Sequence, residues 1–446
     1  PNSLYVHAVV GNDTDKDGWS KVENISGRNY FFLPPTASDT QIEIFNTFGT
    51  DVTINGTSIA PGQKGTVSYT AGTPLAISGA DGLTSVTVMR SNAEGALYIN
   101  STEYEDLIGY LSQSKELSAK GTAAIASGTT VINEDVKKIK GRGNTTWEQP
   151  KKPFNVTFSD AVTVDGLTDT KFSLLANYQD ATLMRNRILY DLSNEVGMPY
   201  APDSRFVDFY VNGIYQGSYQ MSQKIELGEE HVVNLPDNAE GVTSDFNFIL
   251  ELDNLDNQTP DPEDVVISSE INRAILKGPD LSEDALISAG QLSFMQQKFR
   301  ELENALYNGG TLEQLAAVVD LDSLAKAYLI NELGRNIDGG LRSTYFTYSA
   351  QEGIFYAAPV WDFDCALGNL TSTAREGLQT ADKTGWFTKN VKISGTSYIN
   401  ALAQAFNLSG TVDGKTYEDI VKNAWAKEFM PAINNIILNA GQATGE

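Results

Sequence analysis

From residue 1 to about 95, apolar and polar positions alternate in short runs. Examples are QIEIFNTF (41–48), GTVSYTA (65–71), PLAISG (74–79) and LTSVTVMR (83–90). Gly, Pro, Asn and Asp break these runs apart. A period of two in short segments, with turn residues between them, predicts strands, and the spacing predicts a small all-β sandwich of the Ig-like kind. No helical period is present there. From about residue 96 helical and strand patterns alternate, which predicts an α+β or α/β domain of catalytic size. The expected organisation is therefore 1–95 and 96–446.

Within the second region the pattern predicts helices over 102–115, 180–196, 281–307, 311–334 and 415–440. In the 180–196 segment Asp180 can cap, Met184, Ile188 and Leu192 recur at four, and Gly197 and Pro199 follow. In 311–334 Asp322 is the expected cap of the second half and Gly334 the expected stop. Residues 205–226 predict a hairpin around the Asn212-Gly213 turn, and 246–254 a strand ending in acids. A second hairpin is expected from 341–348 and 353–360, followed by Trp-Asp-Phe-Asp at 361–364.

At 446 residues the chain is too long for one ordinary core. Its 57 acidic and 32 basic residues give a net charge of −25. That excludes nucleic acid or an anionic membrane surface as the main partner, but not a nucleotide bridged by a divalent cation. Cys365 is the only cysteine, so no intrachain disulfide forms, and it is read as a packing residue. His7 and His231 cannot make a His-rich zinc site. No apolar run is long enough to cross a membrane. The composition fits an exported or cell-surface bacterial protein whose signal peptide has been removed. DTDKDG (13–18) resembles half of a calcium loop, but position twelve is Asn24, and a polar turn is expected. The acidic stretch 253–264 is expected to be solvated surface.

The chemistry concentrates around 335–369. A helix runs into RNIDGG, with Asp338 at its centre, and after the hairpin come Asp362 and Asp364. A hairpin brings its ends together, so Asp338 and Asp362 should be neighbours although 24 positions apart. Carboxylates gathered in this way repel unless a proton or a cation intervenes, and a divalent metal satisfies them. Protein kinases have this layout, with an Asp in a loop after a helix, a hairpin, and then a metal-binding Asp followed by Phe. Here Ser343 stands five positions after Asp338 in place of Asn, and Asp364 follows Asp362-Phe363 in place of Gly.

Five stretches occur in order: KGRGNTTWEQPKKPFNVTF (140–158), FSLLANYQDATLMRNRILYDLSNEVGMPYAP (172–202), FVDFYVNGIYQGSYQMSQKIEL (206–227), ILKGPD (275–280) and NIDGG…PVWDFDCALGN (336–369). Together they resemble the CotH kinase family, the spore coat protein H type of atypical protein kinases. The resemblance covers about 115–430 and leaves out the first 95 residues. It implies an α+β, protein-kinase-like catalytic domain that transfers the γ-phosphoryl group of ATP to Ser or Thr hydroxyls of a protein. The cation implied is Mg2+ or Mn2+, with Ca2+ as a further choice.

By that resemblance Asp338 matches the catalytic Asp, and Asp362, Asp364 and Ser343 are the candidate metal ligands. Lys224 matches the phosphate-pairing lysine, with Gln223 where an acid is common. Glu251 could pair with Lys224, and Glu251 or Asp253 could instead hold Arg185. Arg142, in the glycine-flanked and locally basic GRGNTTW loop, is the further candidate for phosphate. Trp147 and the tyrosines 210, 215 and 219 are read as packing. Two other functions stay open, a kinase-like binding or scaffold module without turnover and a glycoside hydrolase using Asp338 with Asp362 or Asp364. The N-terminal region is expected to dock a protein or a glycan. No dockerin-like repeat is present.

Overall fold

The computed structural model describes residues 3–7, 18–253, 265–268, 273–279, 288–369, 385–390, 392–393, 396–397 and 400–440. Most of the calcium-loop-like stretch and residues 254–264 lie outside them. The fold is α+β, with a sheet-rich N-terminal region. The chain divides into two compact units, Pro1–Tyr178 with Ser204–Gln223, and Gln179–Asp203 with Lys224–Glu446.

In the first unit a four-stranded sheet runs in the order Trp19–Lys21, Leu4–His7, Gln41–Asn46, Lys64–Ser68. A six-stranded sheet carries Arg28–Leu33 parallel to Ser85–Arg90. Ile42, Ile44, Leu75, Ile77, Val86 and Val88 point into one shared core, as their alternation predicts. The unit does not stop at residue 95. A closed barrel follows, of β1 (Gly95–Asn100), β2 (Ser118–Ser127), β3 (Thr130–Gly141), β4 (Phe154–Val164), β5 (Leu167–Leu175), β6 (Ser204–Val211) and β7 (Ile214–Gln223). Parallel pairing of β1 with β6 closes it. Leu97 and Ile99 face the barrel core, whereas Ala96 and Tyr98 join the core under the N-terminal sheets. β1 is thus buried on both faces and shows no alternation.

The β6–β7 hairpin turns at Asn212 and Gly213, with φ of 46° and 76°. Two consecutive positive φ values define the tight turn whose twist suits a hairpin. The 102–115 helix is only Leu107–Leu111.

The second unit holds a five-stranded antiparallel sheet. Its order is β9 (Val266–Ser268), β10 (Arg273–Gly278), β8 (Phe248–Asp253), β11 (Arg342–Ser349), β12 (Ile354–Tyr356). Its longer helices are α1 (Arg185–Glu195), α2 (Ala289–Tyr307), α3 (Leu321–Gly334), α4 (Tyr417–Ala424) and α5 (Met430–Ala440), with a π-helical turn over Trp425–Phe429 between the last two. Among the described residues no helix is long and apolar enough to cross a membrane.

Several boundaries differ from the sequence expectation. Helix α1 starts at Arg185, because Asp180 accepts backbone N–H bonds from Thr182 and Arg185 in a preceding turn. The 311–334 segment is two helices, Leu312–Ala316 and α3. The cap of α3 is Asp320, which accepts from Ser323 N at 2.6 Å, and Asp322 sits in the first turn. Helix α3 is not amphipathic, since Leu324, Ala325, Lys326, Ala327, Tyr328, Leu329, Ile330 and Asn331 are all buried. Its left-handed terminal residue is Arg335, φ 47°, rather than Gly334. Gly334 has a packing role, as a Cβ there would lie 3.0 Å from Leu189 Cδ1. The closing helix 415–440 is α4, the π-turn and α5. The second strand of the 341–360 hairpin ends at Tyr356, so the acids at 362 and 364 follow irregular chain.

Candidate functional site

Helix α3 delivers the loop that carries Asp338, and asparagine side chains set its path. Asn336 Nδ2 donates to Asn331 Oδ1 at 2.9 Å, and Asn336 Oδ1 accepts from Asp338 N at 3.2 Å. Asn336 Nδ2 also donates to the carbonyl of Asp362 at 3.4 Å. One amide therefore touches both acidic segments. Asn400 Nδ2 donates to Gly339 O at 2.6 Å, and Ala401 N to Gly340 O at 3.0 Å. The two glycines are required here. A Cβ at Gly339 would lie 2.1 Å from Asn331 Oδ1, and one at Gly340 1.9 Å from Asn400 Oδ1. Leu341 N and Arg342 N both return to Asp338 O at 2.9 Å, closing the turn.

Asp338 is buried, and one carboxylate oxygen accepts from Arg342 Nε. The next residue, Ser343, has φ 47° and donates its hydroxyl to Asp362 Oδ2 at 3.1 Å. Asp362 has φ 66°. Two consecutive residues at the start of β11 thus connect the two acids, one through a guanidinium and one through a hydroxyl.

Asp362 and Phe363 are anchored from α1. Phe363 N donates to Asn186 Oδ1 at 2.7 Å, and the rings of Trp361 and Phe363 pack on Tyr190. Asp364 still touches solvent but is crowded by protein, and desolvation pushes its carboxyl up, with the negative charge of Asp338 adding to the rise. The Cys365 thiol is raised by burial and then by the charges of Asp364, Asp338 and Asp362. It stays a thiol, which suits packing and not nucleophilic attack. The mutual influence of these groups places Asp338, Asp362 and Asp364 in one electrostatic cluster.

The other sequence candidates have partners of their own. Glu251 does not pair with Lys224. Its partner is Lys277 at 2.8 Å, across β8 and β10, and Lys224 is bonded to Glu226. Asp253 pairs with Arg273 at 2.9 Å. Arg185 is held by Asp180, not by Glu251, Asp253 or Asp364. Arg142 lies in the first unit, its N–H donating to Pro153 O at 3.2 Å. There the ring of Trp147 lies where a Cβ at Gly141 would stand, 2.5 Å away, and Lys152 lies over that ring at 5.0 Å.

Sequence reasoning missed Lys277, Arg342 and the asparagines 186, 336 and 400. Lys277 lies inside ILKGPD, and that position was its only signal. Arg342 follows Gly-Gly-Leu in an unremarkable context.

Among the described residues no group of three or more His, Cys, Asp or Glu side chains forms a protein cage for a metal. The residues that could hold a cation are Asp362, Asp364 and Ser343, a smaller oxygen set of the kind that Mg2+ takes together with phosphate oxygens and water.

Comparison with known proteins places the chain in a family. A family model described as CotH kinase protein matches residues 139–431. Inner spore coat protein H of Bacillus subtilis (strain 168) is 24% identical over 235 residues, covering 52% of this chain and 58% of that protein. The chain thus spans rather more than half the length of that relative. The family match takes in the Asp338 loop, the hairpin and the Asp362 segment, so this chain belongs to the CotH kinase protein family.

Proposed function

We propose that this chain is a metal-dependent phosphotransferase with a kinase-like catalytic domain. It moves the terminal phosphoryl group of ATP to a Ser or Thr hydroxyl on a protein at the surface of a bacterial cell or spore. The observation that carries this is the link from Asp338 through Arg342 and Ser343 to Asp362. Adjacent residues of one strand tie together the acid we read as the proton acceptor and the acid we read as the cation ligand.

In this scheme the acceptor hydroxyl oxygen attacks the γ-phosphorus, and the bond from that phosphorus to the β–γ bridging oxygen breaks. The bridging oxygen leaves with the electron pair as part of ADP. The hydroxyl proton goes to the Asp338 carboxylate, whose orientation Arg342 fixes. Asp362 and Asp364, with Ser343, would hold the divalent cation, which neutralises phosphate charge as it builds up. We assign the role of the lysine–glutamate pair that protein kinases direct at phosphates to Lys277 and Glu251, because Glu251 lies in β8 beside β11, the strand that carries Arg342 and Ser343.

The test is transfer of label from ATP in the presence of Mg2+ or Mn2+ to acceptor proteins, beside Asp338→Asn and Asp362→Asn. Wild-type transfer lost in both variants is expected. No transfer, with a melting temperature unmoved by ATP and metal, overturns the proposal. Stabilisation without transfer in any acceptor panel makes the chain a nucleotide-binding scaffold instead.

A further inference from the structure

We propose that Arg342 is the residue of this site that grips the phosphate, in addition to bracing Asp338. Its side chain is 14% exposed, and its Nε donates to Asp338 Oδ1. Its Nη2 is buried and has no hydrogen-bond partner among the described residues. Nε–H and Nη2–H share one edge of the planar guanidinium and point the same way. Asp338 uses half of that edge, and the other half lies beside the same carboxylate. A buried guanidinium donor left without an acceptor is costly, and an anionic oxygen is its strongest partner.

The charge balance points the same way. Asp338, Asp362 and Asp364 repel any anion that approaches, and Arg342 places a cation in contact with the first of them. A phosphoryl oxygen on Nη2 would sit next to Asp338, where a hydroxyl must pass its proton. Ser343, the next residue, holds Asp362, so a single dipeptide would register the phosphate against both acids. The identity of the anion as ATP rests on the phosphotransfer proposal, whereas its being a phosphate rests on Arg342.

The experiment is isothermal titration of the full chain with inorganic pyrophosphate, and with ATP plus Mg2+, for wild type, Arg342→Gln, Arg342→Lys and Asp338→Asn. Folding of each is checked by circular dichroism and melting. Arg342→Gln should weaken both ligands by about tenfold or more, and Arg342→Lys, which keeps charge without the fork, should recover only part. Asp338→Asn should bind within about threefold of wild type, as a brace removed from its partner does not remove the donor. A folded Arg342→Gln that binds both ligands like wild type reduces Arg342 to positioning and overturns the inference. If Arg342→Gln does not fold, wild-type affinity in Arg342→Lys has the same meaning. Wild type that binds neither ligand also overturns it. Arg342-dependent binding of pyrophosphate without ATP binding upholds the inference and sinks the phosphotransfer proposal.

Discussion

Ser343 and Asp362 are joined by a 3.1 Å hydrogen bond, and each holds a left-handed backbone, φ 47° and 66°. Left-handed backbone is unfavourable for residues with a Cβ, and the cost is smallest for Asn and Asp. Asp362→Asn should keep the backbone and the acceptor for Ser343 while removing one charge from a repelling cluster. Without metal, the variant should be as stable as wild type or more stable by up to about 1 kcal/mol. With Mn2+ and ATP wild type should gain in melting temperature and the variant should not. Differential scanning fluorimetry with and without the ligands checks both halves, and a large metal-free loss in the variant would refute the account of the backbone.

The Gly339-Gly340 pair permits close approach of Asn331 and Asn400, with Gly340 at φ 79°. Gly340→Ala should cost about 2–3 kcal/mol from the clash and the backbone together. Asn400→Ala leaves the loop without its brace and should cost less stability. Urea denaturation of the two variants, paired with transfer rates, gives the order. Equal stability of Gly340→Ala and wild type would show that the loop moves freely past Asn400.

Lys277 and Lys224 can be separated directly. Lys277→Met should weaken ATP binding by about tenfold, whereas Lys224→Met should change it by less than about threefold. Titration of each variant with ATP and Mg2+ is decisive, and the reverse order would return Lys224 to the phosphate role.

In the first unit Lys151 donates to Ala176 O at 3.1 Å and to Ser218 O, and lies 4.2 Å over the ring of Tyr219. Burial lowers its pKa to about 8. The folded state then releases this proton before the unfolded chain does. Between about pH 8 and the ordinary lysine range the unfolded chain binds more protons, so stability rises with pH across that window. The full difference is on the order of 3 kcal/mol. Melting at pH 7.5 and 9.5 should show this rise in wild type and its loss in Lys151→Met. Burial of the Cys365 thiol acts in the opposite direction from about pH 9, and burial of Tyr210 and Tyr98 from about pH 10, so the Lys151 contribution is the difference between wild type and Lys151→Met. Profiles that coincide would mean that the carbonyls hold the ammonium as well as water does.

Local patterns made much of the fold legible. Asn212-Gly213 announced its hairpin because two positive φ values have few other hosts. Short alternating runs marked the N-terminal strands because each has one core face. β1 hid its alternation by being buried on both sides, which depends on a neighbouring layer that no local window contains. The cap of α3 fell on Asp320 because the preceding residues join Phe355, Asp320 N donating to its carbonyl at 2.8 Å. The two acidic stretches stood out as costly charges beside apolar chain. Their supporting amides did not, as Asn186, Asn336 and Asn400 look like ordinary polar residues until the loops that they join are known. The Lys277–Glu251 pair depends on the register of β8 against β10, which a bulge between Ile249 and Leu250 shifts. No spacing rule in the chain predicts that.

The distance between the two acidic segments is set at the root of the β11–β12 hairpin, where Asn336 reaches from Asp338 N to Asp362 O. Its far end, Gln351 to Gly353, is exposed and takes no part in that junction. The hairpin is therefore a handle as well as a spacer. A fluorophore, affinity tag or short inserted peptide at 351–353 would report on the acidic cluster from outside without resetting the gap between its two segments.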